Sequence, residues 1–251
     1  MIIIPYKMAS ESAKNISEYM NAQGIRTIRS QKIPALLARV VHWGKTEVPT
    51  NHCQASLNRL GAGTFVNKLS FFMACGTDPK VPEWTTDMEV AKGYSVCVER
   101  HLLASSEGAG IRIVKQGEAL QPAPLYIKYI NKTDEYRLHV FKNPQGEFYV
   151  GFHQKKVARQ PTAITNWKVR NTANGFFFQQ NGYEVPAVVS ETALDLVQQF
   201  FPTIDFVALD VVYHRPSNSA YVLEGNTAPG LEGRSVQVYG EFFKERLYGM
   251  A

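Results

Sequence analysis

Ile2-Ile3-Ile4 opens the chain as a short apolar run, and from Ser10 to Gln23 the positions Ile16, Tyr19 and Met20 recur at helical spacing until Gly24 interrupts them. Ile25 to Ile28 and Leu36 to His42 then read as strands, so residues 1–63 predict a small α/β lobe. Asn67 to Cys75 sets Leu69, Phe71, Phe72 and Met73 ahead of Gly76, the pattern of a short glycine-capped helix, and Val81-Pro82-Glu83-Trp84 predicts an extended connector. From residue 94 the period becomes two. Tyr94 to Arg100, Ile111 to Lys115, Leu125 to Ile130, Glu135 to Phe141 and Glu147 to His153 are β-branched and aromatic runs, with Asn143-Pro144-Gln145-Gly146 as a hairpin turn between the last two. They predict a mostly antiparallel sheet. Pro186 to Phe201 follows as an amphipathic helix burying Val188, Val189, Leu194, Leu196, Val197 and Phe200, then two strands and a final helix near Tyr239 to Tyr248.

Composition narrows the classes. Of 251 residues, 45% are hydrophobic and 20% charged, which excludes a disordered, collagenous or coiled-coil chain. A chain of this size buries roughly 70–75% of the surface its unfolded form exposes, enough for one large core or for several lobes sharing a cleft. Cys53, Cys75 and Cys97 show no paired spacing, so reduced thiols are expected rather than a disulfide framework or a zinc site. The first positive charge, Lys7, follows the leading aliphatics, the reverse of a signal peptide. The longest apolar stretch, Ile204 to Tyr213, contains Asp205 and Asp210 and falls far short of the roughly 18 residues of a membrane span. A soluble, cytoplasmic protein with no membrane partner is expected. The formal charge of +5 comes from Lys and Arg spread along the chain, which suits an anionic substrate or nucleotide as well as nucleic acid.

The chemistry concentrates near the carboxy terminus. Ile204 to Tyr213 and Ala220 to Asn226 flank the turn-rich His214-Arg215-Pro216-Ser217-Asn218-Ser219 and should pair as antiparallel strands. If even positions pair with even, Asp210 shares a sheet face with Glu224 and Asn226. Three such oxygen ligands suit Mg²⁺; a solvated hairpin face is the alternative. Both acids emerge from apolar strands, however, and a buried carboxylate needs a metal or a base beside it.

After Glu224 the chain continues Gly225-Asn226-Thr227-Ala228-Pro229-Gly230-Leu231. Asp at the end of one strand, Glu-x-Asn at the end of the next, and Thr-x-Pro-Gly-Leu immediately after closely resemble the carboxy-terminal motif of ATP-grasp ligases, the group that includes D-alanine:D-alanine ligase, glutathione synthetase and the ribosomal-protein glutamate ligases. The whole chain is similar to short ATP-grasp proteins of tailed bacteriophages. The resemblance implies an α+β (α/β) fold in which two lobes, residues 64–130 and 131–251, clamp ATP, with residues 1–63 as a preceding acceptor lobe. It assigns Mg²⁺ to Asp210, Glu224 and Asn226. It assigns the nucleotide to Arg100, where relatives carry Lys, to the flap residues Ser106, Gly108 and Gly110, and to a hinge strand ending Lys128-Tyr129-Ile130. Arg137, in Glu135-Tyr136-Arg137, and Arg170 would stabilise the transferring phosphoryl group. Lys155-Lys156, followed by Arg170-Asn171, occupy the order of the family's basic substrate and phosphate contacts. A plain hairpin is the alternative for the flap, an ordinary buried strand for the hinge, and a solvated loop for Lys155, Lys156 and Arg159.

The implied activity is ATP-dependent joining of a carboxylate to an amine through an acylphosphate, with release of ADP and phosphate. A kinase acting on a small-molecule hydroxyl would use the same phosphate machinery, and a non-catalytic nucleotide- or nucleic-acid-binding protein would retain the cleft without turnover. The acceptor is expected to be a small molecule, a peptide or a modified nucleobase, and a homo-oligomer is compatible with the family. The six histidines show no paired spacing and Ser105 and Ser106 no triad context, so no protein nucleophile is assigned.

Overall fold

The computed structural model describes residues 1–32, 38–45, 53–60, 62–104 and 108–249; Ser106 and the first residues of the strand expected from Leu36 lie outside them. The chain forms three sheets. The first is parallel, in the order β2-β1-β3-β4, from β1 (Ile2–Pro5), β2 (Ile28–Arg29), β3 (Ala38–Trp43) and β4 (Cys53–Leu57). Helix α1 (Glu11–Ala22) crosses between β1 and β2, started by the Ser10 hydroxyl, which accepts from the Ala13 N–H. The strand expected over Ile25 to Ile28 is shorter because its first residues close the helix instead. Gly24 and Ile25 donate to the carbonyls of Asn21 and Met20, and the Asn21 side chain accepts the Thr27 N–H. β4 was not expected; of its residues only Leu57 is buried, so it carries little apolar pattern.

The second sheet, β5-β8-β6-β7, is antiparallel and follows α2 (Lys68–Cys75). It comprises β5 (Trp84–Thr85), which precedes the single-turn α3 (Met88–Ala91), then β6 (Val96–Arg100), β7 (Ile111–Lys115) and β8 (Leu125–Lys128). Gly76 ends α2, as the sequence predicts, and Asn67 caps its start, its side chain accepting the Leu69 and Ser70 N–H groups. Glu99 is fully buried between β6 and β7, where its carboxylate accepts from Arg112 and from the Gln121 N–H.

The third sheet, β11-β10-β9-β12-β13, is antiparallel and the largest. Its strands are β9 (Asp134–Lys142), β10 (Phe148–Ala158), β11 (Phe176–Gln179), β12 (Phe206–His214) and β13 (Ser219–Asn226), with α4 (Ala187–Phe200) between β11 and β12 and α5 (Arg234–Tyr248) at the end. β10 runs past its expected end because its inward positions there, Gln154 and Lys156, are polar and hide the alternation, and β11 is the edge strand that pairs with this extension. α5 begins at Arg234 rather than near Tyr239, since its first turn is polar. One face of this sheet, with Leu138, Val140, Val207, Leu209 and Val211, packs on α2 and α4. The other face is divided. Phe141 and Phe206 pack against Tyr239, Phe242 and Phe243 of α5 and Trp43 of the first sheet, and the remainder is left for polar groups.

Candidate active site

Strand alternation gathers those polar groups. Arg137 of β9 lies opposite Gln154 on β10 and Asp210 on β12; Asp210 lies opposite Glu224 on β13, and Asn226 follows two residues on, opposite Ala208. Asp210, Glu224 and Asn226 therefore share one face. The even-with-even register holds through them and then breaks: Val211 pairs with Val222, which leaves Leu223 as the extra residue of a β-bulge beside Glu224. Gly225 presents no side chain to the opposite face, where a Cβ would come within 2.3 Å of the Phe65 ring.

Asp210 is buried, as its apolar flanks predict, whereas the Glu224 side chain remains 30% exposed. Arg137 grips Asp210 bidentately, Nε to Oδ1 at 2.6 Å and Nη2 to Oδ2 at 2.8 Å, and its guanidinium lies 4.4 Å from the centre of the Phe178 ring. Burial alone would raise the Asp210 carboxyl, but the Arg137 charge brings it down to about 2. Glu224 faces Lys68 Nζ at 3.4 Å and Arg100 Nη2 at 3.8 Å, and the Asn226 amide oxygen accepts the Ala228 N–H at 2.9 Å, fixing the start of the Thr227-Ala228-Pro229-Gly230 loop. Two carboxylates and an amide oxygen form an oxygen-only set, and this donor chemistry fits Mg²⁺. No cluster of three or more His, Cys, Asp or Glu suited to another metal occurs among the described residues.

Arg100 ends β6 above this face with its side chain 10% exposed. Its Nε is buried without a hydrogen-bond partner, and burial lowers the guanidinium pKa against the attraction of Glu224, Asp210 and Glu135. Gly108 and Gly110 follow in the left-handed region, at φ +74° and +73°. A Cβ on Gly108 would lie 3.1 Å from Val169 and 3.2 Å from Asn171, so the flap's base rests on the loop that carries Arg170.

Arg170 is not on the sheet face with Arg137. Its Nη2 donates to the carbonyls of Thr133 and Lys132 at 3.1 and 3.4 Å, which sets it beside the hinge. There the Lys128 ammonium pairs with Glu83 at the outer edge at 2.5 Å, the Tyr129 N–H donates to Val96, and the Ile130 carbonyl accepts from Lys132. Burial pushes the Tyr129 phenol up, opposed by Arg170.

Several residues escaped sequence reading. Lys68 is the lone cation of an apolar run and had no partner visible from sequence. Lys132 also pairs with buried Glu135, together with Lys156, which the sequence offers as a phosphate contact or as part of a solvated loop and which instead lies on β10; burial would raise that carboxyl, and the two ammonium groups hold it below its usual range. His139 is fully buried between the Tyr239 hydroxyl and the Gln154 amide oxygen, each 3.1 Å away, and burial brings its imidazole down to about 4, so it is neutral near pH 7.

The three sheets with their flanking helices form an α/β fold, and solved structures of the ATP-grasp fold match it along the length of the chain. A RimK domain ATP-grasp protein from Sphaerobacter thermophilus superimposes with a TM-score of 0.62 at 15% identity, covering 99% of each chain. D-alanine–D-alanine ligase from Bacillus anthracis, solved with ATP, gives 0.62 at 14% identity over 98% of this chain and 94% of its own. A RiPP-associated ATP-grasp ligase from Chryseobacterium gregarium, solved with ADP and a leader and core peptide, gives 0.61 at 13% identity over 100% and 96%. No family model matches the chain, and no curated protein sequence matches it. No helix among the described residues is long and apolar enough to cross a membrane.

Proposed function

We propose that the protein is an ATP-dependent carboxylate–amine ligase. The observation that carries this reading is Arg100, a nearly buried guanidinium with an unpartnered Nε and its closest carboxylate 3.8 Å away, set under a glycine turn and above two acids. A buried cation so loosely matched is costly unless an anion completes it, and a nucleotide phosphate does so. In this reading the nucleotide lies between the second and third sheets, with its base at the 128–130 hinge and its phosphates toward Arg100, Lys68 and the backbone N–H groups around Gly108 and Gly110. Ser106 is assigned to phosphate binding by the resemblance alone. Asp210, Glu224 and Asn226 hold Mg²⁺, which when bound supplies positive charge to the phosphate oxygens.

A substrate carboxylate attacks the γ-phosphorus, the bond to ADP breaks, and an acylphosphate forms. The amine then attacks the acyl carbon, phosphate leaves with the bonding electrons, and the amine loses a proton to give the amide. Arg137 orients and neutralises the phosphoryl oxygens from the sheet face, and Arg170 guards the hinge side. The acceptor enters from the lobe of residues 1–63, whose Gly44 approaches Ala228 so closely that a Cβ there would lie 2.8 Å away. Peptide-bound ligases of the same fold favour a peptide acceptor, and such chemistry belongs in the cytoplasm, where ATP and Mg²⁺ abound.

The test is product analysis with ATP, Mg²⁺ and pools of peptides and amino acids. ADP with inorganic phosphate and an amide product supports ligation; ADP with a phosphorylated acceptor identifies a kinase and refutes it. Glu224→Gln should abolish turnover while leaving the fold intact.

A further inference from the structure

Strand order singles out a place on the first lobe. The chain leaves β1 for β2 on one side and β3 for β4 on the other, so the crevice between the carboxyl ends of β1 and β3 is a topological switch point, where open parallel sheets hold their ligands. Tyr6 follows β1 and Gly44 follows β3, and a Cβ on Gly44 would come within 3.4 Å of the Tyr6 ring and 2.8 Å of Ala228. The Ala228 N–H donates to the Asn226 amide oxygen at 2.9 Å, so this crevice adjoins the strand that carries Glu224 and Asn226.

Cations collect there. Lys7 follows β1, Arg29 and Lys32 end and follow β2, and Lys45 follows β3. The Arg29 guanidinium donates to the Met8 carbonyl at 2.9 Å, the Lys45 ammonium to the Gln31 amide oxygen at 3.4 Å, and Lys7 Nζ stands 5.1 Å from the centre of the exposed Tyr6 ring. Among the described residues none of these four cations meets a carboxylate. Glu11, on the helix that follows β1, pairs with Lys14 at 3.7 Å, and Glu232 is exposed beyond the Ala228 loop. The imbalance belongs to the whole lobe. Residues 1–63 hold eight of the 27 Lys and Arg but only three of the 22 Asp and Glu, Glu47 among them, a net +5, whereas residues 64–251 hold 19 of each and are neutral. Of the other cations in the lobe, Arg26 and Arg39 lie at the opposite end of the strands beside the Met1 amino group, Arg39 held by the Leu247 carbonyl and the Tyr248 ring, and Arg59 follows β4.

We propose that this crevice reads the acceptor by charge and that the acceptor is an acidic peptide, its carboxylates drawn by Lys7, Arg29, Lys32 and Lys45 and its chain lying over Tyr6. A few cations converging on one crevice suit a short polyanion. A nucleic-acid backbone gains from a basic surface continued across the molecule, and here the excess stops with the first lobe. The inference rests on the ligation reading above and adds the charge of the acceptor and the residues that read it.

The experiment titrates the full chain, with adenylyl imidodiphosphate and Mg²⁺ present, against hexaglutamate, free glutamate, hexaglutamine and a single-stranded DNA dodecamer, each followed by calorimetry. Hexaglutamate should bind with an affinity that falls as salt rises, free glutamate more weakly, and hexaglutamine not at all. The double variant Lys7→Glu with Lys45→Glu should weaken hexaglutamate roughly tenfold or more, since like charges then face each other, and should leave adenylyl imidodiphosphate affinity unchanged. Lys7→Gln, at an exposed position, should weaken hexaglutamate roughly threefold and serves if the double variant does not fold. Hexaglutamine binding as tightly as hexaglutamate, or hexaglutamate binding that neither variant changes, overturns the inference. Free glutamate binding as tightly as hexaglutamate overturns the peptide and assigns the crevice to a free acidic amino acid. DNA binding more tightly than hexaglutamate, and weakened by the same variants, overturns it in favour of nucleic acid. Failure of hexaglutamate to bind protein that holds the nucleotide overturns this inference alone. Failure of the nucleotide to bind, with hexaglutamate still bound, overturns the ligation reading alone, and failure of both overturns both.

Discussion

Asn58 joins the first sheet to the third, and its removal should be among the most damaging single changes in the protein. It is fully buried and lies in the left-handed region at φ +53°. Its amide oxygen accepts the N–H groups of Asp205 and Phe206 at 2.8 and 3.1 Å, its amide nitrogen donates to the Phe206 carbonyl at 2.8 Å, and its own N–H donates to the Asp205 carboxylate at 2.6 Å. Asn58→Ala keeps only the last of these. Each stranded backbone group costs about 1–3 kcal/mol, and partial hydration brings three of them to roughly 3–5 kcal/mol. A non-glycine residue without a local side-chain hydrogen bond at this φ adds about 1 kcal/mol. Against a typical total of about 5–15 kcal/mol, that is enough to unfold a marginal protein. Urea denaturation of wild type, Asn58→Ala and Asn58→Gly measures it, with glycine expected about 1 kcal/mol more stable than alanine because only the φ penalty is relieved. Because Phe206 begins the strand that carries Asp210, loss of nucleotide affinity should accompany loss of stability. A decrease below about 1 kcal/mol for Asn58→Ala would refute the reasoning that these bonds lock the lobes together.

Other outcomes follow from the same geometry. The Asp210 carboxyl is held at about 2 against an ordinary 3.8, so its contribution, roughly 2 kcal/mol, is present above pH 4 and lost as pH falls toward 2; Asp210→Asn should remove that slope from acid denaturation curves. His139 is held at about 4 against 6.5, so stability should fall as pH drops through that window, when the unfolded chain takes up the proton first; His139→Gln should flatten the dependence between pH 6.5 and 4, and an unchanged slope would contradict the buried neutral imidazole. Gly225→Ala should cost about 1–3 kcal/mol in urea denaturation, because its Cβ meets Phe65, whose ring is held 4.6 Å from that of Phe201.

The β12–β13 hairpin and its carboxylates were legible because three independent patterns coincide there: apolar strands that carry acids, a turn-rich loop, and Glu-x-Asn leading into Thr-x-Pro-Gly. Parity then set Asp210 beside Glu224, and the bulge at Leu223 falls just beyond the residues that parity had to place correctly. The rest was hidden by the site itself. Gln154 and Lys156 interrupt the alternation of β10 because its inner face is charged, which concealed both the strand's length and its partner β11. Lys68, the first residue of α2, is invisible from sequence because the Glu224 carboxylate it meets lies on β13, far along the chain. Arg170 was grouped with Arg137 by order, yet it bonds the carbonyls of Lys132 and Thr133 at the hinge, a placement that only the folding of its loop decides.

Calorimetric titration of adenylyl imidodiphosphate into wild-type protein and into Arg100→Ala, both with Mg²⁺, tests the central claim most directly. Saturable binding to wild type, weakened roughly tenfold or more when the buried guanidinium is removed, is the result expected of a phosphate site. Equal affinity in the two proteins would contradict the claim that Arg100 awaits an anion, and no binding to wild type would contradict the nucleotide cleft altogether.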